Sequence, residues 1–111
     1  MAFKPVVWLG DSQERVGRFP AMARQRIGFE LWQIQQGKAP SDSKPMGPVG
    51  GAVWELRVRA GGAYRLLYVA AFAEAVYVLH CFEKQSRKTA RPDIELARAR
   101  LQSLTRERQG R

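Results

Sequence analysis

Between Trp54 and Lys88 the chain reads WELRVRAGGAYRLLYVAAFAEAVYVLHCFEKQSRK, three strand-like runs in close succession, and no other stretch limits the possible folds so tightly. In the first run Trp54, Leu56 and Val58 alternate with Glu55, Arg57 and Arg59. That period of two belongs to a strand with one buried and one polar face. Gly61-Gly62 makes the next turn, and the runs Tyr64 to Ala71 and Ala75 to Phe82 follow, joined around Ala73-Glu74. Both are apolar on both faces, so they are expected to lie more centrally than the first. The result is a three-stranded antiparallel meander, because links this short join only antiparallel neighbours.

The flanking segments read as helices. Phe3 to Leu9 is a short apolar run closed by Gly10-Asp11-Ser12, which predicts a first strand followed by a helix beginning near Ser12. Pro20 opens a second helix, in which Ala23, Ile27, Glu30/Leu31 and Ile34 recur at helical spacing until Gly37. Residues 37–51, GKAPSDSKPMGPVGG, hold four Gly and three Pro and are expected to form a surface loop. After Lys88, Pro92 marks the first turn of a basic C-terminal helix whose inner stripe is Ile94, Ala97, Leu101 and Leu104. The fold class predicted is α+β: a small antiparallel sheet, an N-terminal helical hairpin and a C-terminal helix.

A hydrophobic content of 45% over 111 residues suits one core, so 1–111 is expected to be a single domain. Nineteen Lys+Arg against ten Asp+Glu give a formal charge of +9, a field that concentrates a polyanion such as nucleic acid. One cysteine, Cys81, excludes an internal disulfide, and with a single histidine beside it a structural zinc site lacks ligands. No metal and no small-molecule cofactor is expected. No apolar run approaches the roughly 20 residues of a membrane span, and no signal peptide is recognisable, so a cytoplasmic protein with no membrane partner is expected.

Arg57 and Arg59 share the polar face of their strand, and Arg65 enters just beyond the Gly-Gly turn, so three guanidiniums can converge. Their fixed N–H forks suit a phosphodiester and the added charge of its transition state. Lys84, Arg87 and Lys88 follow the last strand and extend this surface, with Lys44 of the preceding loop at its rim. Tyr64, Tyr68 and Tyr77 offer rings for base stacking, although strand tyrosines more often serve packing; Trp8, Trp32 and Trp54 read as core. Charged residues on a strand face are more often its solvated side than a site. Arg98, Arg100, Arg106 and Arg108 make the C-terminal helix a second candidate contact, although Arg98 and Arg100, two residues apart, cannot point the same way. If the ligand is RNA, a base could direct a 2′-hydroxyl at its own 3′-phosphate. Arginine is too strongly basic for that, which leaves Lys84, His80, a tyrosine or an external group.

In these segments the chain resembles the phage-derived, HigB-like branch of the RelE/ParE toxin superfamily. The matching pieces are Phe19-Pro20, RIGFELWQIQQG (26–37), SKPM (43–46), WELRVR (54–59), AYRLLYVAAF (63–72), AVYVLHCFEK (75–84) and DIELARAR (93–100). The resemblance implies the RelE-like fold and the toxin of a type II toxin–antitoxin system. It also implies a ribosome-dependent mRNA endonuclease, or mRNA interferase, working without metal and neutralised by a cognate helix-turn-helix antitoxin. Its catalytic positions fall on Arg57, Arg65 and Lys84. Arg59, Arg87, Lys88, Lys44 and Tyr64 complete an RNA-binding set. His80 matches a histidine of this branch and reads as structural. Many relatives carry a second lysine after the one matched by Lys84; here that position is Gln85, with Arg87 and Lys88 close by. The alternative is a basic protein, including a gyrase-directed toxin, that binds nucleic acid or a host protein without cutting RNA.

Overall fold

The alternation that begins at Val53 becomes a twisted antiparallel meander, and two short strands extend it at its edges. The protein was described from a computed structural model covering residues 3–110. In chain order it comprises β1 (Val6–Trp8), α1 (Ser12–Gly17), α2 (Ala21–Gln35), β2 (Ser43–Pro45), β3 (Val53–Arg59), β4 (Ala63–Val69), β5 (Val76–Glu83) and α3 (Arg91–Gln109). The sheet order is β1-β5-β4-β3-β2, with β1 parallel to β5 and every other pair antiparallel. Gly61, at φ 74°, sits in the left-handed region that the tight β3–β4 turn requires. This α+β arrangement, with N-terminal helices and a C-terminal helix on a small sheet, agrees with the RelE-like fold that was expected, except that the sheet is mixed and not wholly antiparallel, because β1 joins it parallel to β5.

Each sheet face carries its own apolar layer. Ala23, Ile27, Leu31 and Ile34 of α2 press on Leu56, Val58, Leu66, Tyr68, Val78 and Cys81. Fully burying a side chain such as Ile27 or Leu66 contributes about 1.5–3 kcal/mol, so this stripe is what seats the hairpin. On the opposite face Ala97, with Ile94 and Leu101 beside it, packs α3 against Val53, Leu67, Val69, Leu79 and Phe82.

Four further expectations change. The loop 37–51 is not wholly irregular, because Ser43–Pro45 pairs with β3 as an edge strand, a position in which Pro45 withholds no ladder donor. Trp54 and Trp32 are not core residues; they are 41% and 48% exposed, Trp54 because α2 does not reach over it and Trp32 because it sits on the outer side of α2. Glu55, read as part of an exposed polar face, is fully buried, because that face lies under α3 and the segment leading to it. Finally, β5 is not regular. Leu67 pairs with His80 and Tyr68 with Val78, so Leu79 is an extra residue. This bulge reverses the alternation: His80 and Phe82 join Leu79 on the α3 face, while Cys81 joins Val78 beneath α2.

Candidate nucleic-acid interface

Register brings the basic residues together. Arg57 lies directly opposite Arg65, which lies opposite Phe82; one step along, Lys44 lies opposite Glu55 and Glu55 opposite Leu67. Directly opposed residues share a face, so Arg57, Arg65, Glu55 and Lys44 all project to the α3 side. The bulge sets the same parity for Lys84, one residue past β5, whose amide still donates to the Ala63 carbonyl at 2.7 Å. Helix α3 leaves this end of the sheet open. Its first turn is tied down where Asp93 Oδ1 meets His80 Nε2 at 2.6 Å, and residues 84–90 run along the rim.

The result is a groove of about 410 Å³ lined by Lys44, Lys84, Arg87, Lys88 and Thr89, with Pro45, Met46, Pro48 and Ile94 beneath. Among the described residues the side chains of Lys84, Arg87 and Lys88 have no ion-pair partner, and neither has that of Arg59. The arginines of α3 differ. Arg100 donates to Asp11 and to the Leu79 carbonyl, Arg108 holds Glu74 and lies over the Phe72 ring, Arg98 donates to the Pro48 carbonyl and Arg106 to Ser103. The charge of α3 is therefore largely occupied in holding the fold. Three cations without an ion pair, Lys84, Arg87 and Lys88, stand together at the groove.

The two arginines paired across β3 and β4 each face a carboxylate. Arg57 donates twice to Asp42 Oδ1, at 3.1 and 2.9 Å. Arg65, its side chain 7% exposed, lies with Nε 3.7 Å from Glu55 Oε1 and donates from Nη1 to the Tyr64 carbonyl at 3.1 Å. Burial pulls the pKa of Arg65 down; Glu55 opposes that shift and Arg57 and Arg59 add to it. Arginine nevertheless stays charged. Lys84 is half-buried, and its pKa is also lowered, first by burial, with Glu55 opposing and Arg65, Lys44 and Arg57 reinforcing. A lysine so placed yields its proton more readily than an ordinary one.

Other expected residues lie elsewhere. Tyr64 is buried on the opposite face with its ring 4.8 Å from Phe19, so it is not on the arginine face and does not stack in the groove. Tyr68 lies on that same far face, and Tyr77 donates to Glu74. His80 is fully buried, stacked on Phe82 and bound to Asp93, as the structural reading expected. Arg59 and Arg57 both line a second cleft of about 390 Å³, together with Arg26, Phe29 and Asp42. Gln85 is exposed and does not line the groove, whereas Arg87 and Lys88 do. Sequence reasoning missed Glu55, Asp42 and Thr89, and only the alternation that placed Glu55 in step with Arg57 signalled any of them.

The family model described as "Phage derived protein Gp49-like (DUF891)" matches residues 14–102, from α1 to within α3. The chain belongs to the phage-derived Gp49-like family. That is a toxin family of the RelE/HigB type. No curated protein matches the chain. The matched segment of this Gp49-like protein contains both carboxylate-held arginines and every cation of the groove.

Proposed function

We propose that this Gp49-like protein, a single domain of the HigB branch, is the toxin of a type II toxin–antitoxin pair and cuts translated mRNA in the cytoplasmic ribosome. The observation that carries the reading is the groove: Lys84, Arg87 and Lys88 without counter-charges, beside Arg57 and Arg65 converging from paired strands. Such cations suit an RNA backbone, whose phosphates supply most of the affinity. The reaction needs no metal and no attacking water. The 2′-hydroxyl loses its proton and its oxygen bonds to the adjacent phosphorus; the bond to the 5′-oxygen breaks, and that oxygen takes up a proton. The products are a 2′,3′-cyclic phosphate and a 5′-hydroxyl. Arg57 and Arg65 stabilise the added charge on the phosphorane. Lys84 carries protons, being the residue of the proposed catalytic set that can do so and the one whose pKa is displaced downward. A helix-turn-helix antitoxin is the proposed neutralising partner.

The test is induction of wild-type protein and Lys84→Met, followed by mapping of mRNA 5′ ends with translation running or blocked. Translation-dependent 5′-hydroxyl ends that disappear in Lys84→Met are expected, with cleavage reduced about 10²–10⁴-fold, the contribution typical of a general acid or base. Growth arrest with intact mRNA would refute the nuclease reading and favour a toxin that only binds.

A further inference from the structure

Glu55 is placed unlike any other carboxylate in the described residues. Glu30, also buried, accepts two short bonds from Ser41, at 2.6 and 2.8 Å. Glu55 is 0% exposed, yet its Oε1 has no hydrogen bond, and its Oε2 accepts only a long one, 3.4 Å from Thr89. Arg65 Nε, equally buried, is unsatisfied in turn. The two groups stand 3.7 Å apart, and Lys44 Nζ stands 3.8 Å from the same Oε1. Those distances lie within Coulombic reach but beyond a good hydrogen bond. A buried ion pair this loose does little for stability, since desolvation offsets its attraction.

Its position explains more. Glu55 lies beneath the groove, with Lys44 opposite it and Arg57 two residues along the same strand face. With no exposed surface it cannot come within about 3 Å of a substrate hydroxyl, as a base must. It can set where the cations stand.

We infer that Glu55 is a positioning residue, a built-in counter-charge that holds Arg65 and Lys44 at the groove floor and denies that spot to free anions. For cleavage this rests on the nuclease reading, but the electrostatic role does not. Without the Glu55 charge, Arg65 keeps its bond to the Tyr64 carbonyl but loses its buried counter-charge, and a small anion should enter to replace the lost carboxylate.

The experiment compares full-length wild type, Glu55→Gln and Glu55→Asp in thermal melts in chloride buffer with and without inorganic phosphate, and in cleavage of mRNA on programmed ribosomes. Glu55→Gln should melt lower than wild type in chloride and regain much of the difference in phosphate. Wild type and Glu55→Asp, which keep the charge, should barely respond. In cleavage, Glu55→Gln should lose about a hundredfold in kcat, the scale of a misplaced transition-state donor, with KM unchanged or lower and the pH profile unchanged in shape. A Glu55→Gln melt indifferent to phosphate would overturn the inference, and so would loss of a limb of the pH profile, which would make Glu55 the base. If Glu55→Gln does not fold in chloride, Glu55→Gln/Arg65→Gln must fold and ignore phosphate; a double variant as unstable as the single also overturns it. If even wild type cleaves nothing, the nuclease reading falls while the phosphate melts still decide the role of Glu55.

Discussion

Replacing Arg100 by methionine should unlock α3 from the sheet, and its cost follows from two contacts. Arg100 crosses from α3 to the β1–α1 turn, donating from Nη1 to the Leu79 carbonyl at 2.8 Å and from Nη2 to Asp11 Oδ1 at 2.7 Å. Leu79 is the bulged residue of β5 and is fully buried, so its carbonyl would lose a charged donor where water does not readily replace it. An orphaned buried acceptor costs about 1–3 kcal/mol. The Asp11 side chain is 43% exposed, which limits its ion pair to about 0–1 kcal/mol. Methionine retains most of the stem packing, leaving a loss of about 2–3 kcal/mol; at this chain length that is a drop of roughly 8–13 °C in Tm. Thermal melts at pH 7 measure it directly.

Acid supplies an internal control. The Arg100 hydrogen bond, then that of Arg15, holds the Asp11 pKa at about 2 against an ordinary 3.8. A depressed carboxylate contributes stability above its unfolded pKa and loses it as pH falls through the folded one. The gap between wild type and Arg100→Met should therefore narrow from pH 4 toward pH 2, leaving only the carbonyl contribution. Gly10→Ala supplies a coupling check, because a Cβ there would strike the Arg100 guanidinium and sit at φ 55°. Combined with Arg100→Met, the contacts with Cζ and Nη2 disappear and the one remaining, with the methionine methyl in place of Nε, is relieved by rotating a flexible side chain, so Gly10→Ala should cost less than in wild type, with backbone strain of about 1 kcal/mol the main remainder. A fall of less than about 3 °C for Arg100→Met at pH 7 would refute the reasoning, since one orphaned carbonyl alone predicts more.

Two further outcomes follow from the charges. His80 is fully buried and its pKa is lowered, chiefly by burial, with Asp93 opposing; the unfolded chain thus binds its proton more readily, and stability should fall as pH drops below about 6.5. As it is the only histidine, urea midpoints from pH 7.5 to 5 should show that loss in wild type and not in His80→Gln; equal slopes would contradict the buried neutral imidazole. RNA affinity should decline with salt at a log–log slope near −3 if Lys44, Lys84, Arg87 and Lys88 each neutralise one phosphate, at about −0.7 apiece, and Lys88→Ala should reduce the slope by one such step. A flat dependence would remove the groove from consideration as a phosphate track.

Much of the fold was readable because two periodicities carried it: the helical stripe Ala23, Ile27, Leu31, Ile34 and the alternation in β3 each report the face that packs. Edge strands escaped that logic. Ser43–Pro45 is too short to show a period and lies in a Pro/Gly-rich stretch whose composition reads as loop, yet an edge strand tolerates both properties. Trp54 was misplaced for a related reason. Alternation shows which residues share a face but not how far a covering helix reaches, and α2 covers Leu56 and Val58 while leaving Trp54 in solvent.

The site was partly legible, and its gaps share one physical cause. Lys84 shares the sheet face of Arg57 and Arg65 only because Leu79 inserts an extra residue and reverses the parity of β5 after Val78. In a regular strand Lys84 would point toward α2, and an apolar run such as VYVLHCF gives no indication of where parity will break. The same burial hid Glu55. On the pattern it was the polar partner of two arginines, an exposed residue by default; in three dimensions α3 and the segment before it close over the face and leave the carboxylate as the negative centre among Arg65, Lys44 and Lys84. A charged face at the mouth of a covered sheet therefore has a dry inner end and a wet outer one. The same sequence region places the buried carboxylate of Glu55 in the first and the unpaired Lys84 and Lys88 in the second.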